Sequence, residues 1–99
     1  MMAHSINMNN MSLKTAINSV GKQLNLNIVF DEGIRDSEKL TIELKDVSLH
    51  QALKIFLVAK RLQARIIEEK TIIVFYDNET NRQRYAQYEV WPTKSDEKK

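Results

Sequence analysis

"MSLKTAI" at residues 11–17 and "VSLHQAL" at residues 47–53 share one spelling: apolar, Ser, Leu, two variable positions, Ala, then Ile or Leu. Each reads as a helix start. Ser12 and Ser48 sit where an N-cap belongs, because a serine hydroxyl can accept one of the orphan backbone N–H groups of a first turn. Behind Ser12, the residues Leu13, Ala16, Ile17, Val20 and Leu24 form one apolar stripe, which predicts a helix over 12–24 with Asn25 as a left-handed stop. Behind Ser48, Leu49, Ala52, Leu53, Phe56 and Leu57 form the inner stripe of a helix over 48–61. Ile55, Val58 and Ala59 widen that stripe, so this helix is expected to be covered on more than one side.

Strand patterns flank both helices. "SINMN" (5–9) alternates with Ile6 and Met8 on one side, and "LNIVF" (26–30) is a short β-rich run before the turn "DEG" (31–33). "KLTIELK" (39–45) places Leu40, Ile42 and Leu44 on one face, and 63–76 reads as two strands joined by a tight turn near 68–70. Strand, Ser-capped helix, strand thus occurs twice with a 36-residue offset. Two copies are too few for a solenoid, but they suffice for a compact pseudo-symmetric domain. The expected class is α+β, built from two βαβ-like repeats.

Composition sets the outer limits. Ninety-nine residues suffice for one domain with a tail, and the net charge of +2 supports no strong claim on nucleic acid or anionic lipid. The absence of cysteine removes disulfides and thiolate metal sites. "MMAH" (1–4) reads as an added remnant, and "MMAHSINMNN" (1–10) lacks the basic start and apolar block of a signal peptide.

No constellation for catalysis emerges. His4 and His50 are far apart, and His50 reads as a surface residue off the apolar stripe. "DEGIRDSE" (31–38) is acidic but lacks the alternating ligand positions of a calcium loop, so a solvated turn is expected. The only glycines, Gly21 and Gly33, cannot build a phosphate cradle or a GXXG clamp. Lys54, Lys60, Arg61 and Arg65 read as a solvated face, because no aromatic residue interleaves with them. No enzyme activity, cofactor or metal is expected. The segment "DNETNRQRYAQYEVWPTKSDEKK" (77–99) carries too many large side chains for a plain linker. It reads either as an element folding back on the domain or as a bridge to a following one, with the polar residues after Pro92 mobile.

Residues 5–76 resemble the short N-terminal domain shared by secretins and TonB-dependent transducers. The resemblance runs through Leu13, Ala16, Ile17, Val20, Gln23, Leu26, Asn27, Ile28 and Val29, and again through Leu40, Thr41, Leu44, Val47, Ser48, Leu49, Ala52, Leu53 and Leu57. The chain departs from that family at Asn25 and Arg61, where glycine is frequent. The tail, with its Arg- and Tyr-bearing stretch, is similar to the secretin continuation, towards a following periplasmic module.

The resemblance implies two helices sandwiched between a three-stranded mixed sheet and a two-stranded hairpin. It implies a periplasmic, non-enzymatic interaction domain of an outer-membrane secretin of the type II secretion or type IV pilus class. The expected partners are an inner-membrane secretion component or secreted cargo, with no nucleic acid. The full-length protein would form a ring, and this segment a monomer or weak dimer. The alternative is the signalling domain of a TonB-dependent transducer, which would bind an anti-sigma regulator. Docking is expected at exposed strand edges. The candidate residues are Ser5, Ile6, Asn7, Met8 and Asn9 on the first strand, and Thr71, Ile73 and Phe75 on the closing strand.

Overall fold

Both serines do what their position in the repeat requires. In a computed structural model that describes residues 3–97, Ser12 ends strand β1 (His4–Ser12) and caps helix α1 (Leu13–Gln23), its Oγ accepting from the Thr15 N–H at 3.3 Å. Ser48 follows strand β3 (Lys39–Val47) and caps helix α2 (Leu49–Ala59). The second cap is the more complete one. The Gln51 N–H donates to Ser48 Oγ at 3.1 Å, and Ser48 N–H donates to Gln51 Oε1 at 2.8 Å, a reciprocal capping box. Each helix is one residue shorter than expected at its start, because the serine is the cap. At its end α1 stops at Gln23 and α2 at Ala59, before the expected Leu24 and Arg61.

Strand β2 (Asn27–Phe30) follows α1, while β4 (Leu62–Glu68) and β5 (Thr71–Tyr76) follow α2. Asn25 at φ 62° and Arg61 at φ 58° take the left-handed turn between each helix and its following strand. Lys70 at φ 56° makes the tight turn of the β4–β5 hairpin.

The strands form two sheets. β1 pairs antiparallel with β3, Ile6 opposite Leu44 and Met8 opposite Ile42. The second sheet has the order β2-β5-β4-β6, with β2 parallel to β5 and the other pairs antiparallel. Its fourth strand, β6 (Glu89–Val90), comes from the tail. The expected helix sandwich is present, with two refinements. The two-stranded layer joins strands that are distant in sequence, and the mixed sheet gains an edge. Between the layers lies one core, in which Leu13, Ile17, Leu53, Phe56, Ile72 and Val74 are all buried. Gly21 lets α1 approach β2 closely: a Cβ there would stand 2.7 Å from Ile28 Cγ1.

The wide apolar face expected of α2 is covered only in part. Ile55 is half-buried, but Val58 is 77% exposed and Ala59 is also exposed. The tail folds back on the domain. Helix α3 (Glu79–Arg84) is capped by Asn78, and the four-residue helix α4 (Lys94–Glu97) is preceded by Thr93, which exchanges hydrogen bonds with Asp96. Part of the polar end expected to be mobile is therefore helical. Met1, Met2, Lys98 and Lys99 lie outside the described residues.

Candidate interaction surfaces

The end of the tail is held by one buried aromatic. Trp91 is 4% exposed within the core, its backbone N–H donates to the Ala64 carbonyl at 3.0 Å, and its ring stacks against His50 at 6.2 Å between centroids. His50 is thus half-buried beside Trp91, where a free surface residue was expected. The two rings share a cleft of about 290 Å³ with Leu24, Leu26, Ile66 and Ile72.

A second anchor lies at the acidic turn. Asp31 is 7% exposed, where a solvated carboxylate was expected. It accepts from the Tyr85 hydroxyl and from the Gly33 N–H at 2.9 Å, and Arg84 Nη1 lies 3.6 Å away. Burial opposes its charge, but the Tyr85 and Gly33 donors and the Arg84 cation together hold its pKa below the usual carboxylate value. Burial and the same carboxylate push the Tyr85 phenol up. The tyrosine ring also lies 4.5 Å from Phe75. Lys14 of α1 bonds Asp36 at 2.6 Å, Lys60 pairs with Glu38 at 3.4 Å, and Ile34 enters the core. The acidic stretch therefore fastens both helices and the tail together.

The basic residues do not form a stripe. Lys60 is paired with Glu38, Arg65 donates to the Tyr88 carbonyl at 2.7 Å, and Arg61 occupies the turn. Among the described residues no group of His, Asp and Glu could hold a metal, and no helix is long and apolar enough to cross a membrane. The surface available for function is therefore one of strand edges and faces.

Among the described residues the edge strands are β1, β3, β2 and β6. The expected edge at Thr71–Tyr76 is a correction. β5 lies inside its sheet, hydrogen-bonded to β2 on one side and β4 on the other, so it has no free edge to offer. The sequence showed the β4–β5 hairpin but not the parallel return of β2 alongside it. Thr71, Ile73 and Phe75 instead share the sheet face turned away from the helices. Thr71 bonds Asn27 Nδ2 at 3.2 Å, Phe75 is buried beneath Tyr85, and Ile73 is half-buried. The register sets Val29, Ile73, Arg65 and Val90 in one rung across that face, with Val29 41% and Val90 49% exposed. Nothing in the local pattern of "LNIVF" signalled this rung, because it depends on a long-range pairing.

The first strand is an edge, as its place in the two-stranded layer requires. Ser5, Asn7 and Asn9 are exposed, while Ile6 and Met8 turn towards the core. Register shifts interrupt the ladder between His4 and Ile6 and between Met8 and Met11, where Asn10 takes φ 56°.

The model of the FecR C-terminal region matches residues 5–74. The chain belongs to that family. Among solved structures, this FecR C-terminal domain is similar to a protein of Parabacteroides distasonis described as a candidate anti-sigma factor. The two share 18% identity with a TM-score of 0.61, over 77% of this chain and 35% of that one. The FecR C-terminal domain thus spans about a third of that protein's chain. It is also similar to the N0 domain of the type II secretin from enterotoxigenic Escherichia coli, at 22% identity and TM-score 0.61, over 78% of this chain and 98% of that one. No curated protein matches it. FecR C-terminal and N0-like domains are non-catalytic interaction domains, and they share the fold expected from the repeat. The assignment to a secretin in particular gives way to FecR, because at this identity the N0 likeness speaks for the fold alone.

Proposed function

We propose that this chain is the periplasmic signalling module of a FecR-type anti-sigma regulator, and that it docks the signalling domain of a TonB-dependent outer-membrane transducer. The observation that carries this reading is the family match over residues 5–74. It keeps the transducer–regulator pair of the sequence-based alternative and assigns this chain to the regulator side.

The docking edge in this proposal is β1, through Ser5–Asn9. An outer strand leaves backbone N–H and C=O groups facing solvent, and a partner strand satisfies them without any pocket. No acidic or basic side chain other than His4 stands on β1, whereas β3 carries Lys39, Glu43, Lys45 and Asp46. A strand with few charges accepts partners with little electrostatic opposition.

The experiment is an NMR titration of the labelled chain with a transducer signalling domain, and separately with the periplasmic segment of an inner-membrane secretion component. Shifts at Ser5–Asn9 with the former support the reading. Shifts elsewhere discard the β1 edge, and binding of the secretion component alone restores the secretin assignment.

A further inference from the structure

We infer that the outer edge of β2 is a self-association site, pairing antiparallel with the same strand of a second copy to make one continuous eight-stranded sheet. The inference goes beyond the docking reading and uses a different edge.

The hydrogen-bond pattern defines the site. The Asn27 N–H donates to the Lys70 carbonyl at 2.7 Å, and the Asp31 N–H to the Val74 carbonyl at 2.8 Å. In a parallel ladder alternate residues serve the same neighbour, so Val29 also faces β5, while Ile28 and Phe30 turn their N–H and C=O groups to the open side. A twofold axis at Val29 sets Ile28 opposite Phe30 of the second copy, and Phe30 opposite its Ile28. Each opposed pair exchanges two hydrogen bonds, and Val29 stands opposite itself at a Cα separation of about 4.5 Å.

Two further observations select a second copy as the occupant. First, residues 23–30, "QLNLNIVF", carry no charge, so self-pairing sets no like charges against each other along the strand. Asp31, which would face Asn27 of the second copy, is already matched with Tyr85 and Arg84. Second, pairing at this axis continues the exposed rung: Ile73 and Val29 of one copy run directly into Val29 and Ile73 of the other. The other edges suit a second copy less well. β3 is charged, β6 is two residues long and begins with Glu89, and β1 keeps a regular register only over Ile6–Met8, the stretch assigned above to the transducer. β2 is protected only by being four residues long, which makes the association weak and concentration-dependent.

Sedimentation equilibrium of the full chain, up to about 1 mM, tests this with Val29→Lys and Val29→Glu. Val29 is partly exposed, so both variants are expected to fold, and a circular dichroism melt checks it. The expected result is a reversible wild-type dimer, a loss of association of about tenfold or more in each variant alone, and recovery when the two are mixed. Amide exchange at Ile28 and Phe30 should slow with concentration in the wild type. A monomeric wild type, variants that associate like the wild type, or a mixture no better than its components would each overturn the inference.

Discussion

Replacing Trp91 by alanine tests whether the tail is part of the folded domain, since residue 91 lies beyond the segment 5–74 that the family shares. The ring is almost wholly enclosed, between His50 on one side and the sheet on the other. A tryptophan in such a place removes about 200 Å² from water. At roughly 25 cal/mol per Å² that is worth about 5 kcal/mol. The compactness of a real denatured chain lowers the gain by about a quarter, and the retained alanine leaves a loss of about 3 kcal/mol, within the range measured for such truncations. For a domain of this size that is roughly 30–60% of a total stability of about 5–10 kcal/mol. With a urea dependence of about 1.5 kcal/mol per molar, the unfolding midpoint should fall by about 2 M. His50→Ala, which removes the stack and leaves Trp91 in place, should shift it far less. A fall below about 0.5 M for Trp91→Ala would refute the reasoning and show that the tail merely rests on the sheet.

Three other outcomes are expected. Ser48→Ala should lower stability by about 1 kcal/mol and Ser12→Ala by clearly less, because only Ser48 makes a two-way capping box; paired urea melts compare them. Arg61→Gly should raise stability by about 0.5 kcal/mol, since glycine relieves the strain at φ 58° and returns only part of it as chain entropy; a lower melting temperature would count against this. Asp31 has a folded pKa below its unfolded value, so its stabilisation is fully present above about pH 4 and is lost as the pH falls through the lowered folded value. Acid unfolding of Asp31→Asn should therefore show a shallower dependence over that range than the wild type, and an identical dependence would remove Asp31 from the acid response.

The elements of the fold were legible because they are written in local pattern. The capped stripes of α1 and α2, the alternation in β3, the β4–β5 hairpin and the left-handed turn at Asn25 all follow from spacing and residue type. What escaped depends on partners far along the chain. The expected second edge failed because β2 returns beside β5 across 44 residues, which no window around either strand reveals. Asp31 read as a solvated turn residue because its donor Tyr85 lies 54 positions away. Val58 and Ala59 widened the apolar stripe of α2 without a layer to cover them, so hydrophobic type alone overstated burial. The edge position of β1 was legible in the sequence, whereas the rung through Val29, Ile73, Arg65 and Val90 was not.

The way the two repeats interlock has a consequence for how the chain folds. Each repeat gives its first strand to one layer and its second strand to the other, so β1 waits for β3, and β2 waits for β5. Neither repeat completes a layer by itself, although the second forms the β4–β5 hairpin locally. A half-made chain holds one complete helix and two strands with no ladder between them, so it has no resting place on the way to the native state. Closing these distant pairings is slow relative to forming the helices, and a single cooperative transition with helix-rich but sheet-poor early species is the expected kinetic signature.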